Sequence, residues 1–399
     1  MIDVTSFLNS RPANYARKNY DLFLSEIEPI KFKKSIHIAG TNGKGSTAMF
    51  LFEMFRAAGY KTALYISPHF KVHNELARVN DQYIPDSFIK EVIVKHLTAI
   101  EKYQLSFFEV MTFVSFKYFE SEDVDVAIIE AGLGGLIDAT NIFTPTISVI
   151  TNIHKDHIVE IGPDISDIAR HKAGIIKPGV PVVIGVRNEE LIKIIERVAG
   201  EKKSPIITKT KAVGQIFKDV DSMTFVWQEK TYELNSGAVY ETSNAAMALE
   251  TIMYLTANNI IPIGNKEIKK GLKNAKMPAR YTIVSKKPLV IVDGAHNMHG
   301  IRALIASVKA LGHKQIKVVY AAFYEKEILR ILDFFKTEEL DVTLTTFEHE
   351  RASKSFPIAK FPFEQDYKEA IAKAIKENEK SVVVICGSLY FASLVLEDY

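Results

Sequence analysis

The chain carries a single cysteine, Cys386, among 399 residues. An intramolecular disulfide is therefore excluded, and the composition suits a reducing compartment. Cys386 closes the apolar run VVVIC, which predicts a buried strand residue and not a nucleophile. Excess charge of one sign is also missing. Fifty Lys and Arg stand against 48 Asp and Glu, a formal net charge of +2. Such a balance offers no electrostatic footprint for nucleic acid or for an anionic membrane. No apolar run reaches the roughly 18 uncharged residues that a membrane-spanning helix needs. The stretch MIDVTSFLNSRPANYARK lacks the basic-then-apolar order of a secretory signal. A cytoplasmic location is the expectation. Short repeats and low-complexity tracts are absent.

What is there is alternation. From residue 35, β-leaning runs (SIHIA, TALYI, VDVAIIE, TISVITN, PVVIG) alternate with helical patterns near 45–58, 86–103, 107–120, 164–174 and 188–199. Such order predicts a mostly parallel sheet covered by helices, an α/β fold. Residues 205–235 hold short β-branched and aromatic segments and predict a small antiparallel excursion. Helices return near 241–258 and 265–273. The polar, Pro-bearing segment KNAKMPAR (273–280) reads as a linker. Beyond it βα alternation restarts with LVIVD, IKVVYAA, DVTLTT and SVVVICG. Two domains are expected, which the length also favours: residues 1–276, then a smaller α/β domain over 277–399.

The most informative stretch is SIHIAGTNGKGST (35–47). A strand runs into a glycine-rich turn and then into a helix start. Glycines let backbone N–H groups crowd an anion, and the helix N-terminus adds partial positive charge. Lys44 can neutralise a terminal phosphate, and the Ser46 or Thr47 hydroxyl can face phosphate or Mg²⁺. The match to G-x-x-x-x-G-K-[ST] is imperfect, because Gly45 separates Lys44 from Ser46 and Ile38 stands where the first glycine belongs. An ordinary glycine turn is the competing reading.

Ligands of open parallel sheets bind at the carboxyl ends of strands. Ser67 lies just past TALYI, Glu130 ends VDVAIIE, and His157 follows ISVITN. A hydroxyl, a carboxylate and an imidazole there can complete a Mg²⁺ shell shared with phosphate and water. Each also has a bland reading: a turn serine before Pro68, a solvated carboxylate, a structural histidine. Lys172, in IARHKAGIIKPG, falls in a helical pattern among apolar neighbours. It is either a snorkelling lysine or one used as a neutral amine. Asp293 ends LVIVD and is followed by Gly294, Ala295, His296 and Asn297. A strand-end aspartate suits a ribose hydroxyl, and Arg280 beside the linker suits phosphate. A turn and a surface charge are the alternatives.

Taken in order, these segments resemble the folylpolyglutamate synthase and dihydrofolate synthase family of the Mur ligase superfamily. HIAGTNGKGST resembles the family's phosphate loop, extra glycine included. SPHFKVHNELARVN, LSFFEVMTFVSF, IIEAGLGGLIDATN, ITNIHKDH, ARHKAGIIKPG, NAAMAL, MPAR, DGAHN and CGSLYF follow in family order, nearly end to end.

The resemblance implies an ATP-dependent amide ligase that joins L-glutamate to a folate through an acyl phosphate. It implies a P-loop-type ATPase domain followed by a Rossmann-like glutamate-ligase domain. Dihydrofolate synthase activity on dihydropteroate, alone or in addition, is the alternative, and a nucleotide-binding homologue without turnover is a third. ATP contacts are implied for Thr41, Asn42, Gly43, Lys44, Gly45, Ser46, Asn244 (near the base), Arg280, Asp293 and His296. Ser67, Glu130 and His157 are implied as Mg²⁺ ligands. Lys172 would be a carbamylated lysine, and Lys44, Lys172 and His157 would serve catalysis. Ser106, Phe108, Asp138 and Ala139 match positions that hold the pterin. A monomer follows from the same likeness. Four departures stand out: Leu136 where the family usually has Arg, Glu241 for Gln, Met298 for Pro, and His154-Lys155 where less polar residues are common.

Overall fold

The computed structural model describes residues 3–12, 17–156, 158–209, 214–313, 315–324, 326–356, 361–377 and 381–399. The chain forms two compact units, residues 1–212 with 243–275, and residues 213–242 with 276–399. Residues 213–242 thus pack with the second unit, although the sequence order had placed them in the first domain. Ala238, Val220 and Tyr240 join the apolar cluster of Tyr281, Leu289 and Ile291, which explains the grouping.

The strands of the first unit are β1 (Ser35–Ala39), β2 (Thr62–Tyr65), β3 (Ala77–Val79), β4 (Gln82–Tyr83), β5 (Val126–Glu130), β6 (Ile147–Ile150), β7 (Val182–Ile184) and β8 (Ile206–Lys209). They form one sheet in the order β4-β3-β2-β5-β1-β6-β7-β8. β2, β5, β1, β6, β7 and β8 run parallel. β3 and β4 are antiparallel additions at one edge. Strands of three and two residues are too short to show a period in the sequence. The sequence pattern groups 206–209 with the antiparallel excursion, whereas β8 extends the parallel sheet.

β1 lies between β5 and β6, so the strand leading into the glycine turn is central. Strands buried on both faces must be apolar throughout, as β1, β5 and β6 nearly are. On one face Ala127, Ile129 and Tyr65 pack with Met111, Phe113 and Phe116 of the helix Phe107–Ser121. On the other, Ile150, Val182 and Ile184 pack with Ile168, Ala169 and Ala173 of the helix Ile165–Ala173.

The second unit contains β9 (Gly214–Asp219), β10 (Ser222–Trp227), β11 (Lys230–Leu234), β12 (Thr282–Lys286), β13 (Leu289–Val292), β14 (Ile316–Tyr320), β15 (Asp341–Thr345), β16 (Phe363–Glu364) and β17 (Val382–Cys386). The first three form the expected antiparallel sheet. The others form a sheet ordered β12-β13-β17-β14-β15-β16, parallel except for β12. Cys386 ends β17 with no exposure. Among the described residues no helix is long and apolar enough to cross a membrane.

The helix Lys44–Ala57, which opens the phosphate loop, packs closely on the helix Asn265–Asn274. A Cβ added at Gly271 would lie 2.4 Å from Met54 Cα. Gly271→Val must therefore push the two helices apart. Urea unfolding should show a loss of about 1–3 kcal/mol, the usual cost of overpacking.

Candidate active site

β1 ends at Ala39, and Gly40-Thr41-Asn42-Gly43 leads into the helix at Lys44. The turn is pinned by the segment after β6. Thr41 N–H donates to Asn152 O at 3.0 Å. Asn42 N–H donates to Asn152 Oδ1 at 2.9 Å, while Thr151 Oγ1 and Asn152 Nδ2 donate to Asn42 O. Thr41 Oγ1 donates to His154 O and accepts from His154 N–H. Two glycines are obligatory here. Gly40 leaves no room for a Cβ, which would lie 1.9 Å from Thr151 Oγ1. Gly43 has φ +79° and abuts Asn244, whose Oδ1 would lie 2.1 Å from a Cβ. Gly43 is the N-cap, and no side chain caps the helix. This is the geometry of an anion-binding helix N-terminus. Thr47 Oγ1 turns to Asn244 O at 3.5 Å.

Three predicted residues converge beside this turn. Glu130, at the end of β5, is 5 % exposed and so is not the solvated carboxylate of the bland reading. Lys44 Nζ lies 3.8 Å from Glu130 Oε1 and 3.3 Å from Thr41 O. Ser67 N–H donates to Glu130 Oε2 at 3.3 Å. Lys172, also 5 % exposed, donates from Nζ to Gly40 O at 2.8 Å. It does not snorkel. Burial first, then the Lys44 ammonium, hold its pKa down to about 7, against the opposing pull of Asp156 and Asp138. His157 lies outside the described residues. Glu130 and Ser67 at the mouth of a phosphate turn fit a hard cation that keeps water and phosphate oxygens. Among the described residues no cluster of three His, Cys, Asp or Glu offers a closed metal cage.

The loop after β5, residues 131–141, was singled out through Asp138 and Ala139. Asp138 is 1 % exposed. Its carboxylate accepts from Leu133 N–H at 2.5 Å, from Thr140 N–H at 3.0 Å, and from the Thr140 hydroxyl. Burial raises its pKa, and these bonds oppose the rise. Asp138 is thus the closing residue of its own loop. Ser106 is likewise engaged, as the N-cap of the helix Phe107–Ser121 in a capping box with Glu109. Phe108 seats its ring on Gly132, where a Cβ would lie 2.4 Å away. Leu136 is half exposed, its N–H bonded to His171 O at 2.7 Å.

In the second unit, Asp293 follows β13 and is 2 % exposed. Its Oδ2 accepts from Tyr240 Oη at 2.6 Å and Tyr281 N–H at 2.8 Å, and Oδ1 accepts from Ala295 N–H at 2.7 Å. Ala279 and Tyr281 both adopt left-handed φ, +53° and +52°, a strained turn that Asp293 holds. Arg280 sits in that turn, its Nη1 against Gly294. His296 Nδ1 pairs with Gly294 O at 2.9 Å. The second group of predicted residues is therefore also contiguous.

Sequence reasoning missed Thr151, Asn152, His37, Thr140 and Arg17. Thr151-Asn152 follows a strand at its carboxyl end, a signal that was available. Arg17, whose Nη1 donates to Asp138 O at 2.7 Å, carries no local signal.

The profile of the Mur ligase middle domain matches residues 38–252, and that of the Mur ligase glutamate ligase domain matches residues 279–389. Fold and site therefore define a Mur ligase, an ATP-dependent ligase. Dihydrofolate synthase/folylpolyglutamate synthase of Bacillus subtilis is 33% identical over 388 residues, 92% of this chain and 90% of its own. A solved folylpolyglutamate synthase complex with AMPPCP and folate is 28% identical, with a TM-score of 0.87 over 99% of this chain and 98% of that one. A bifunctional folylpolyglutamate synthase/dihydrofolate synthase with Mn, AMPPNP and L-glutamate bound is 26% identical, with a TM-score of 0.85 over 99% of this chain and 96% of that one. The chain belongs to the folylpolyglutamate synthase/dihydrofolate synthase family.

A buried lysine with a depressed pKa leaves a trace in stability. The unfolded state binds this proton up to about pH 10.5, whereas the folded state releases it near pH 7. Unfolding free energy should therefore rise with pH across that window. In CO₂-free buffer, the stability of the parent relative to Lys172→Met should climb between pH 7 and 10. A flat difference would place the Lys172 ammonium in solvent.

Proposed function

We propose that this protein is a folylpolyglutamate synthase: it adds L-glutamate to a carboxylate of a folate, using ATP. A carboxylate is a poor electrophile. Transfer of the γ-phosphoryl group to a carboxylate oxygen releases ADP and makes an acyl phosphate with a good leaving group. The neutral glutamate amine attacks that carbonyl, the amide bond forms, and phosphate departs with the C–O bond electrons. The amine proton passes to solvent or a base.

The observation that carries this reading is the convergence of Lys44, Glu130, Ser67 and Lys172 on one uncapped glycine turn. Lys44, 3.8 Å from Glu130, is held as a point charge for the transferring phosphoryl group. Ser67, Glu130 and His157 would hold Mg²⁺, which when bound neutralises phosphate charge. Asn42, Gly43, Gly45 and Ser46 would line the phosphates, and Thr41 would keep the turn in shape through His154. Asn244, packed on Gly43, would meet the nucleotide. Arg280 and His296 would contact ATP from the glutamate-ligase module, with Asp293 setting the turn that carries Arg280. For the folate, the Phe108 ring offers a stacking face, with Ala139 beside Asp138. Because Ser106 and Asp138 are bonded internally, they would shape the pterin site and not reach into it. We assign residues 1–276 to the ATP-binding module, apart from 213–242, which pack with the second unit, and 277–399 to the glutamate-ligase module, in a cytoplasmic monomer.

Lys172 is proposed to act as a carbamate. Its neutral amine attacks the carbon of CO₂, an N–C bond forms, and one proton leaves. Burial favours the neutral form that this step needs. The product is an anion beside Lys44 and the cation site, where an ammonium would be repelled.

ADP release that requires both glutamate and a pterin acceptor separates an enzyme from a nucleotide-binding homologue. Tetrahydrofolate compared with dihydropteroate separates the two activities of the family. Lys44→Ala should cut kcat by about 10²–10³-fold, the loss of about 2.7–4 kcal/mol typical of one preorganised electrostatic donor. Near-normal kcat in a folded variant would remove Lys44 from the mechanism. Lys172→Ala should be nearly inactive and partly rescued by short carboxylic acids, with activity of the parent depending on dissolved CO₂. A fully active Lys172→Ala protein would end the carbamate assignment.

A further inference from the structure

His37 is a polar residue in the middle of the central strand β1, between two isoleucines, with no exposure. It lies between Ile36 and Ile38 in β1, aligned with Ile129 on one side and Ser148 on the other. Burying an imidazole there costs free energy unless it is bonded. Its Nε2 lies 2.9 Å from Thr140 Oγ1. The Thr140 hydroxyl in turn contacts Asp138 Oδ1.

The direction of this chain follows from proton counting. Asp138 accepts backbone N–H bonds from Leu133, Thr140 and Gly132. These donors oppose the rise in pKa that burial causes, and Asp138 accepts the Thr140 hydroxyl proton as well. The hydroxyl then has only lone pairs left for His37. His37 must donate from Nε2–H, which leaves Nδ1 bare, and Nδ1 indeed has no partner among the described residues. The imidazole is held neutral, its pKa pushed down to about 3 chiefly by burial.

The loop that this chain reaches is packed on everything around it. Leu136 N–H bonds to His171 O. A Cβ at Gly135 would lie 2.8 Å from His171 O and 3.1 Å from Lys172 O. Asn141 Nδ2 donates to Leu136 O and Gly174 O, both at 3.1 Å. Lys172 itself bonds to Gly40 O at the end of the strand that carries His37. The strand, the loop and the lysine helix therefore form a closed circuit.

We propose that His37 and Thr140 are positioning residues for the ligase reaction: the relay His37–Thr140–Asp138 locks the 132–140 loop to the phosphate-loop strand, so that the folate is held in register with the nucleotide. This inference rests on the reading of that loop as part of the folate site. Both residues are fully buried. The relay spans from the phosphate-loop strand to the 132–140 loop.

The test compares Thr140→Val, which removes the hydroxyl at nearly constant volume, with Thr140→Ser, which keeps it, and with His37→Phe. All are made in the full chain. Thr140→Val and His37→Phe should raise KM for the folate by about tenfold or more while KM for ATP stays within about twofold, and Thr140→Ser should behave as the parent. Amide exchange over residues 132–141 should quicken by about tenfold in Thr140→Val and not in Thr140→Ser, equivalent to about 1.4 kcal/mol of lost loop restraint. Equal behaviour of the Val and Ser variants, unchanged exchange, or an equal rise in KM for ATP and folate would overturn the proposal. If the parent itself turns over no folate, the proposed function fails, and the exchange comparison still decides whether the relay restrains the loop.

Discussion

The tight fit of Gly40 against Thr151 is the constraint on which the first unit depends. Backbone from the end of β1 and side chain from the end of β6 approach too closely for any Cβ. That proximity lets Thr151 and Asn152 hold Asn42 by its carbonyl and its N–H at once. The turn is thereby shaped before any ligand arrives. A preorganised turn spends no binding energy on ordering itself, so its dipoles would act fully on a bound anion.

The buried charges obey one logic. Glu130, Asp138, Lys172 and Asp293 are all nearly inaccessible, yet their partners differ. Asp138 and Asp293 are satisfied by N–H and O–H donors of neighbouring segments, and each closes a loop. Glu130 and Lys172 instead border the glycine turn, one near an ammonium and the other on a carbonyl. Loop-closing carboxylates can be read as architecture. At the turn, burial is what tunes the lysine toward its neutral form.

Much of this was legible in the chain. β13 and β17 are continuous apolar runs and β1, β5 and β6 nearly so, and such runs announce buried parallel strands. Their carboxyl ends locate Glu130 and Asp293 without further information. The short edge strands β3 and β4 were not legible, since they arise from pairing to β2 and not from local pattern. The same holds for β12, whose antiparallel place beside β13 is a tertiary choice. At the site, Lys172 could be flagged but not resolved, because exposure is set by the sheet it packs on. His37 escaped notice for the opposite reason: one imidazole in SIHIA reads as a strand residue until Thr140, about a hundred positions away, is brought beneath it. Ser106 and Asp138 were picked out by family likeness, but only the folded structure reveals that their oxygens are already occupied.

Cys386 has a practical side. Its thiol is fully enclosed at the end of β17, and burial, with Asp293 nearby, pushes its pKa well above the ordinary thiol value. A thiol that is neither reachable nor ionised resists maleimides and iodoacetamides. The natural chain can therefore accept one engineered surface cysteine and be labelled there alone. Spectroscopic rulers and cross-linkers can be attached to this protein without first mutating a core residue.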